Sequence, residues 1–441
     1  MAVSDAEVGT LAGGATPMSA FARIKAILGG SAGNLVEWYD WFAYTSTSLY
    51  FAKHFFPHGD KVDQQLQTAA IFAAGFIARP LGAWLMGVYA DRAGRRAALT
   101  LSVALMSLGS FAIAILPTYA QIGVAAQFLL LAARLVQGLS LGGEYGASAT
   151  YMAEMAGRER RGFWSSFQYV TLIGGQLTAL LVLVVVQHLL SKAALEAWGW
   201  RIPFAIGGLL AIVVFWIRTG LDETRAYLNA AKETPRRGQT MSLLREHPRE
   251  TAAILTLTAA GSLSFYAYTT YMQKFLVNTS GFDKDTATAI MAGVLVAYML
   301  IQPLVGWASD HVGRKTTMAV GLGAGALATY PVMSAIAGAH SAGLAFGLIL
   351  LLVACHSGYS AVNAAVKAEL FPAHVRALGV ALPYAIANAV FGGTAEYVAG
   401  WLKKLHVESG FYLYVAVVMT VAAVVAVRLR NTNVTSLIAE D

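Results

Sequence analysis

The sequence predicts an all-α polytopic membrane protein: twelve transmembrane helices in two pseudo-symmetric six-helix bundles. Three features carry that expectation. Of 441 residues, 57% are hydrophobic and only 12% charged, against about 25% charged in average soluble domains. A soluble fold would have to hide that apolar excess from water, whereas a lipid-facing exterior has no such need. Apolar runs long enough to cross a bilayer, roughly 20 residues at about 1.5 Å each, recur along the whole chain. A charged motif that follows the second run returns after the eighth.

In chain order, residues 1–22 are rich in Ala, Gly, Ser and Thr and lack the apolar stretch of a cleavable signal. They read as a disordered cytoplasmic tail, with the first span directing insertion. Spans one to six fall near 24–50, 66–89, 97–116, 122–153, 163–190 and 202–218, giving an N-terminal bundle over 23–218. Residues 219–250, with Asp222-Glu223-Thr224-Arg225 and Thr234-Pro235-Arg236-Arg237-Gly238, are the longest hydrophilic stretch and form a cytoplasmic linker. Spans seven to twelve fall near 252–276, 286–308, 317–337, 342–370, 377–401 and 411–428, giving a C-terminal bundle over 251–430, and 431–441 is a second cytoplasmic tail.

With both termini inside, 20 Lys and Arg residues lie in cytoplasmic loops and tails against 8 outside, the sense of the positive-inside rule. The formal charge of +7 is therefore topogenic. It sits in short clusters between spans, not in one basic stripe, and excludes a nucleic-acid partner. The lone Cys355 permits neither a disulfide framework nor a cysteine metal cluster. No metal or cofactor is expected, and no nucleophile–base pair lies near a span, so the chain is not read as an enzyme.

The repeat is specific. Gly87-Val88-Tyr89-Ala90-Asp91-Arg92-Ala93-Gly94-Arg95-Arg96 and Gly306-Trp307-Ala308-Ser309-Asp310-His311-Val312-Gly313-Arg314-Lys315 both fit G-x-x-x-D-x-x-G-R-[RK], 219 residues apart at equivalent places in the two halves. Duplicated halves around a central cavity are what alternating access requires. The motif suits a cytoplasmic gate. Its Gly permits close helix approach, its Asp can accept backbone N–H groups at a neighbouring helix start, and its Arg can pair with carboxylates. Gate residues are expected to be Asp91, Arg95, Glu154, Arg161, Asp310, Arg314, Glu369 and Arg376, with Glu154 and Glu369 ending spans four and ten. The plainer reading is that these charges only set topology.

These features resemble the major facilitator superfamily over nearly all of the chain after about residue 23. Within it, Gly33-Asn34-Leu35-Val36-Glu37-Trp38-Tyr39-Asp40, Phe76-Ile77-Ala78-Arg79-Pro80-Leu81-Gly82, Arg134-Leu135-Val136-Gln137-Gly138 and Trp198-Gly199-Trp200-Arg201-Ile202-Pro203-Phe204 are similar to the metabolite:proton symporter family. That family carries organic acids and compatible solutes. The stretches Ser166–Gln176, Tyr268–Lys274 and Lys367–Pro372 resemble its carriers of α-ketoglutarate. The first gate loop departs from those carriers, holding Ala93 where they hold a His.

Charges inside the membrane cost roughly 2.5–3.5 kcal/mol each on insertion scales, so they should face a cavity or a partner. Span one places Gly33, Glu37, Asp40 and Tyr44 on one face, and span four places Arg134, Gln137, Glu144 and Ser148 on another. Resemblance to sugar–proton symporters implies that Asp40 pairs with Arg134 and carries the proton, with Glu37 as the second choice; a static tie between spans one and four is the other reading. Glu144, among Gly138, Gly142, Gly143 and Gly146, serves either packing or function. Arg79, in mid-span two, holds either a substrate carboxylate or Glu37. Tyr169 and Gln176 match sugar-binding places. Tyr268, Tyr271 and Lys274 share a face of span seven, although Lys274 could instead snorkel outward. Lys367 is a gate or a binding residue, Asn388 is a further binding candidate, and His356 reads as a buried histidine with its hydrogen bonds satisfied.

Cations from each half, Arg79 with Lys274 or Lys367, suit a small dicarboxylate. The expected function is proton-coupled uptake of α-ketoglutarate or a similar dicarboxylate by a monomer in a bacterial inner membrane. The alternatives are symport of another metabolite such as citrate, another dicarboxylate, shikimate or a betaine-like solute, and a non-transporting ligand sensor on the same fold.

Overall fold

The computed structural model describes residues 20–93, 95–141, 158–219, 239–432 and 435–438. The N-terminal half contains α1 (Ala20–Phe55), α2 (Lys61–Ala93), α3 (Arg95–Ile115), α4 (Ala125–Leu141), α5 (Phe167–Leu189) and α6 (Ile202–Thr219). A short helix, Gln239–Glu246, precedes the C-terminal half. There α7 runs Pro248–Phe265, passes through a π turn at Tyr266–Thr270 and continues as Tyr271–Asn278. It is followed by α8 (Lys284–Val312), α9 (Arg314–Ala337) and α10 (Ala342–Ser360, resumed at Asn363–Glu369). The last two are α11 (Ala373–Ala387, a π turn at Asn388–Gly392, then Ala395–Lys404) and α12 (Ser409–Arg428).

Seven stretches among the described residues are both long and apolar enough to cross a membrane, and Thr100–Ile115, Ala125–Ser140 and Gly199–Val213 are shorter apolar helices. The remaining two helices, α1 and α7, carry buried polar groups such as Asn34, Glu37 and Asp40, or Ser262, Thr270 and Lys274. Their polar faces look into protein, not lipid. Outward faces elsewhere carry large apolar side chains, Ile77, Trp84, Leu304 and Leu327 among them. Helices α1 and α2 overrun the apolar runs predicted at 24–50 and 66–89. Hydropathy marks the membrane, not the helix end. Residues 142–157, which include the end of predicted span four, lie outside the described residues, and with them Glu144 and Glu154.

The packing is twofold. In the N-terminal half α1 packs on α5, α2 on α4 and α3 on α6; in the C-terminal half α7 packs on α11, α8 on α10 and α9 on α12. Adding six to each label turns the first set into the second. Across the halves, α5 meets α8 and α2 meets α11, again a pair related by the same operation. Gly313, at φ +99°, lets the chain reverse between α8 and α9. Asp283 caps α8 by accepting the N–H groups of Asp285 and Thr286.

Candidate functional site

Two Arg residues lie in the N-terminal bundle where α1, α2 and α4 converge. Arg134 on α4 is fully buried. Its Nη1 donates to Gln137 Oε1 at 2.6 Å, Gln137 Nε2 donates to Ser110 Oγ at 2.7 Å, and Ser110 Oγ donates to Asp40 Oδ2. The expected Asp40–Arg134 contact is thus a relay through an amide and a hydroxyl, not a direct ion pair. The room between the two is taken by rings, since the Arg134 guanidinium lies 4.0 Å from the Trp41 ring centroid and 4.4 Å from that of Tyr44. Asp40 Oδ1 accepts no hydrogen bond among the described residues and presses on Gly207 of α6, where a side chain would collide. The relay gives a buried carboxylate a hydrogen-bonded connection to a fixed cation three residues away in the chain of bonds.

Arg79 on α2 is buried under aromatic faces, 3.9 Å from the Phe76 centroid and 4.0 Å from that of Trp41, contacts that partly replace its hydration. It hydrogen-bonds Tyr266 in the π turn of α7, a link between the halves. Its Nε and Nη2 find no acceptor among the described residues. Tyr266 packs edge-on against Phe76 at 5.3 Å, Gly392 of the second π turn lies against Tyr266, and Gly393 lies against Phe76. Two π turns, one in each of a pair of packed helices, therefore meet at Arg79. Such turns displace backbone groups and cluster at functional sites. Beside them, Asn388 Nδ2 donates to Tyr384 Oη at 3.4 Å, and Lys367 Nζ lies 5.0 Å from the Tyr384 ring and 5.6 Å from that of Tyr359.

The other predicted binding residues scatter. Gln176 reaches Thr270 of α7 at 3.4 Å across the seam, and buried Tyr169 packs on Phe265. Both stay near the centre. Tyr268 does not: its hydroxyl sits 2.5 Å from Thr329 and 3.2 Å from Met419, inside the C-terminal bundle. The π turn alters the register, so Tyr266 takes the seam-facing position that an uninterrupted helix would assign to its neighbours. Tyr271 donates to Glu408 near the outer end. Lys274 is not a free cation, nor does it snorkel; it pairs inside the protein with Glu396 of α11. Glu37 is buried on α1. His356 Nδ1 shares a hydrogen with Ser264 Oγ at 2.9 Å, and its Nε2 has no partner among the described residues.

At the end of the bundles that carries the repeated motif, Asp310 accepts the backbone N–H groups of Gly162 and Phe163 at 2.7 and 2.9 Å. Those donors open the helical segment Arg161–Ser165 ahead of α5, where orphan N–H groups and the helix dipole favour an anion. Glu369 Oε1 receives both Arg161, at 3.1 Å, and Arg314, at 2.9 Å, and Arg314 also holds Asp310. Arg376 donates instead to the carbonyls of Ala368, Phe371 and Leu437. The C-terminal segment joins in: Leu437 N–H bonds Glu369 O, and Arg161 reaches Ser436. Asp91 and Arg95 lie in helices whose side chains there are outside the description.

The opposite end is also bridged. Glu196 takes Lys53 at 2.6 Å and Lys284, of the other half, at 3.0 Å. These two hydrogen-bonded cations hold its carboxyl down to about 2. Lys404 pairs with Asp63, and Asn278 with Gln65, across the same seam. Contacts between halves thus close both ends over the Arg79 region. Sequence reading missed three participants. Tyr266 was hidden by the π turn and Ser110 carries no signal in a Ser-containing span, but Glu396 was discoverable as an acid within span eleven.

Residues 26–252 match the family model described as Sugar (and other) transporter, and 254–438 match that of the Major Facilitator Superfamily. The chain is 53% identical over 410 residues to the alpha-ketoglutarate permease of Escherichia coli K12, covering 93% of this chain and 94% of the permease. It is 33% identical over 377 residues to the citrate-proton symporter of Klebsiella pneumoniae, covering 84% of each. It is 30% identical over 423 residues to the proline/betaine transporter of E. coli K12, covering 92% of this chain and 83% of the transporter. In fold it is similar to a crystal structure of the D-xylose-proton symporter, with TM-score 0.74 at 19% identity over 94% of this chain and 99% of that one. A similar match is the partially occluded inward-open xylose transporter of E. coli, with TM-score 0.73 at 18% identity over 91% and 98%.

Proposed function

This chain belongs to the major facilitator superfamily, and from that premise we propose that it is a symporter carrying α-ketoglutarate, or a similar small dicarboxylate, into the cell with protons by alternating access. It is a transporter and not an enzyme. We place it in the bacterial inner membrane as a monomer with both termini in the cytoplasm, the orientation that the distribution of Lys and Arg supports.

The observation that carries the reading is Arg79: a buried guanidinium at the junction of the two bundles with two donor nitrogens uncommitted among the described residues. A guanidinium fork matches a carboxylate. Lys367, 5.0 Å from the Tyr384 ring, supplies a second cation for the other end of a dicarboxylate, with Asn388 and Tyr384 as neighbouring hydrogen-bonding groups. Closing both halves on one dianion then couples binding to occlusion. Lys274 is left out of this site because Glu396 neutralises it.

A dianion entering a negative-inside cell works against about 4.6 kcal/mol per 100 mV. Co-entry of protons offsets that charge. Asp40 is the proposed acceptor. It is buried, connected to Arg134 through Ser110 and Gln137, and keeps one oxygen without a hydrogen bond among the described residues.

Counterflow of radiolabelled α-ketoglutarate in proteoliposomes, with citrate and betaine as competitors, tests the substrate. Asp40→Asn should sharply reduce accumulation driven by a pH gradient and leave counterflow intact. Equal loss of both would show that Asp40 serves structure only.

A further inference from the structure

Lys274 and Glu396 form a direct, buried ion pair in the outer third of the C-terminal bundle. Glu396 lies eight positions before Lys404, the end of α11, or about 12 Å inside that end at 1.5 Å per residue. Both side chains are almost completely buried. No other described residue donates a hydrogen bond to either carboxylate oxygen of Glu396. This is a sparse pair, since well-compensated buried ion pairs carry further hydrogen bonds.

The pair also borders a pocket that crosses the seam. Val62, Gln65 and Leu66 of α2 line one side, and Lys274, Asn278, Glu396 and Lys403 line the other. Its free volume of about 20 Å³ is enough for a single water. Because one wall belongs to each bundle, parting the bundles at the outer end exposes Glu396 to the outer solution, and closing them isolates it. The charged and titratable groups around it are few. Tyr271 and Lys274 come from α7 and Lys403 from α11. Lys403 is tied to Glu408 at the start of α12, as is Tyr271. From α2 the pocket is lined only by Val62, Gln65 and Leu66, and the nearby Asp63 is held by Lys404.

We propose that Glu396 is a second proton-binding carboxylate of this carrier, loaded from the outer solution when the bundles part at that end and working alongside Asp40. The proton enters from outer water onto a Glu396 oxygen, and the ion pair with Lys274 opens. Two protons, one on each carboxylate, balance the two charges of a dicarboxylate, so the loaded carrier crosses with no net charge. Each bundle then contributes one carboxylate: Asp40 in the N-terminal bundle and Glu396 in the C-terminal one. This inference rests on the dicarboxylate symport reading.

The test measures proton-to-substrate stoichiometry and voltage dependence in proteoliposomes, using α-ketoglutarate as the probe. Wild type should move two protons per substrate, with an accumulation ratio unaffected by an inside-negative potential. Glu396→Gln should move one, and its accumulation ratio should fall about tenfold for each ~60 mV, with counterflow retained. Glu396→Asp should restore the wild-type behaviour. Unchanged stoichiometry and voltage independence in Glu396→Gln would overturn the proposal. So would loss of counterflow in both Glu396→Gln and the neutralised pair Glu396→Gln/Lys274→Gln, which would mark the pair as a strut. Absence of counterflow in wild type is a separate result, and it would sink the underlying substrate reading.

Discussion

Gly306 opens the second copy of the repeated motif, and its neighbours belong to the other bundle. A Cβ at this position would stand 2.6 Å from the Gly162 carbonyl oxygen and 2.9 Å from Ser166 Cβ. The first is backbone, so the collision is not relieved by turning a side chain. Crowding of this kind costs about 1–3 kcal/mol. The contact joins α8 to the segment just ahead of α5, in the other bundle, so parting the bundles at this end relieves it. Gly306→Ala therefore raises closed-inside states and leaves inward-open ones untouched, shifting the equilibrium about 5- to 150-fold toward the inside. Ser309 lies in the same seam against Gly162, so a Ser309→Cys reporter in a Cys355→Ser background reads the opening by its rate of maleimide labelling from the cytoplasmic face. The rate should rise by that factor in Gly306→Ala. Gly175→Ala is the control: its Cβ would meet Trp38 Cβ at 2.6 Å and Leu35 O at 2.8 Å, both within one bundle, so it should lower thermal stability without changing labelling. An unchanged rate in Gly306→Ala, or an equal rise in Gly175→Ala, would refute the assignment of this contact to one conformational state.

Three further expectations use the same preparation. Arg161→Ala removes a hydrogen-bonded charge contact between the bundles worth about 1.5–3 kcal/mol; because Arg314 still holds Glu369, the protein should stay folded while inward labelling of the Ser309→Cys reporter increases. Deleting the chain from residue 435 onward removes the Arg161–Ser436 bond between the bundles, along with the Leu437 bonds to Glu369 and Arg376 within the C-terminal half, and should move the labelling rate the same way by roughly tenfold or more, at about 1.5–3 kcal/mol for a hydrogen bond to a charged group. At the outer end, the Glu196 carboxyl is depressed to about 2 by Lys53 and Lys284, so its contribution is complete above its ordinary value of 4.5 and is lost only as pH falls through about 2. Flux measured from pH 5 to 8 should thus keep its profile in Glu196→Gln, and a profile that flattened there would mean that Glu196 titrates during transport.

The helical architecture was legible because its causes are local. Apolar length dictates a span in lipid, and the motif at Gly87 and Gly306 announced the twofold relation that the helix pairings display. What chain order could not convey was rotation about each helix axis after an irregular turn. Regular register puts Tyr268, Tyr271 and Lys274 on one face, but the π turn at Tyr266–Thr270 sends Tyr268 to Thr329 and brings Tyr266 to Arg79. No residue type in Tyr266–Thr270 forces such a turn, since it is stabilised by what it packs against. The relay between Asp40 and Arg134 was opaque for a similar reason, as Ser110 comes from α3 and is distinguished by position alone. Glu396 was a different kind of omission: an acid within a span needs a partner by charge alone, and the structure supplies Lys274.

The two closures differ in chemistry, and that difference bears on direction. At the cytoplasmic end Arg161 and Glu369, which pair across the seam, are at most 3% exposed, and separating buried partners without replacement is worth about 3–5 kcal/mol. At the outer end Lys53 is 48% and Glu196 38% exposed, where water replaces what is lost and a pair is worth about 0–1 kcal/mol. On ionic contacts alone, the empty carrier therefore opens outward more readily than inward. Inward opening needs a source of free energy that appears only once cargo is bound. In the proposed mechanism that source is substrate engaging Arg79 at the seam, where Tyr266 joins the bundles, with neutralisation of Asp40 inside the N-terminal bundle. A carrier with this bias waits facing its external substrate, as an importer must. Exchanging the exposures, by making the inner pairs solvent-accessible, should reduce net uptake more than exchange.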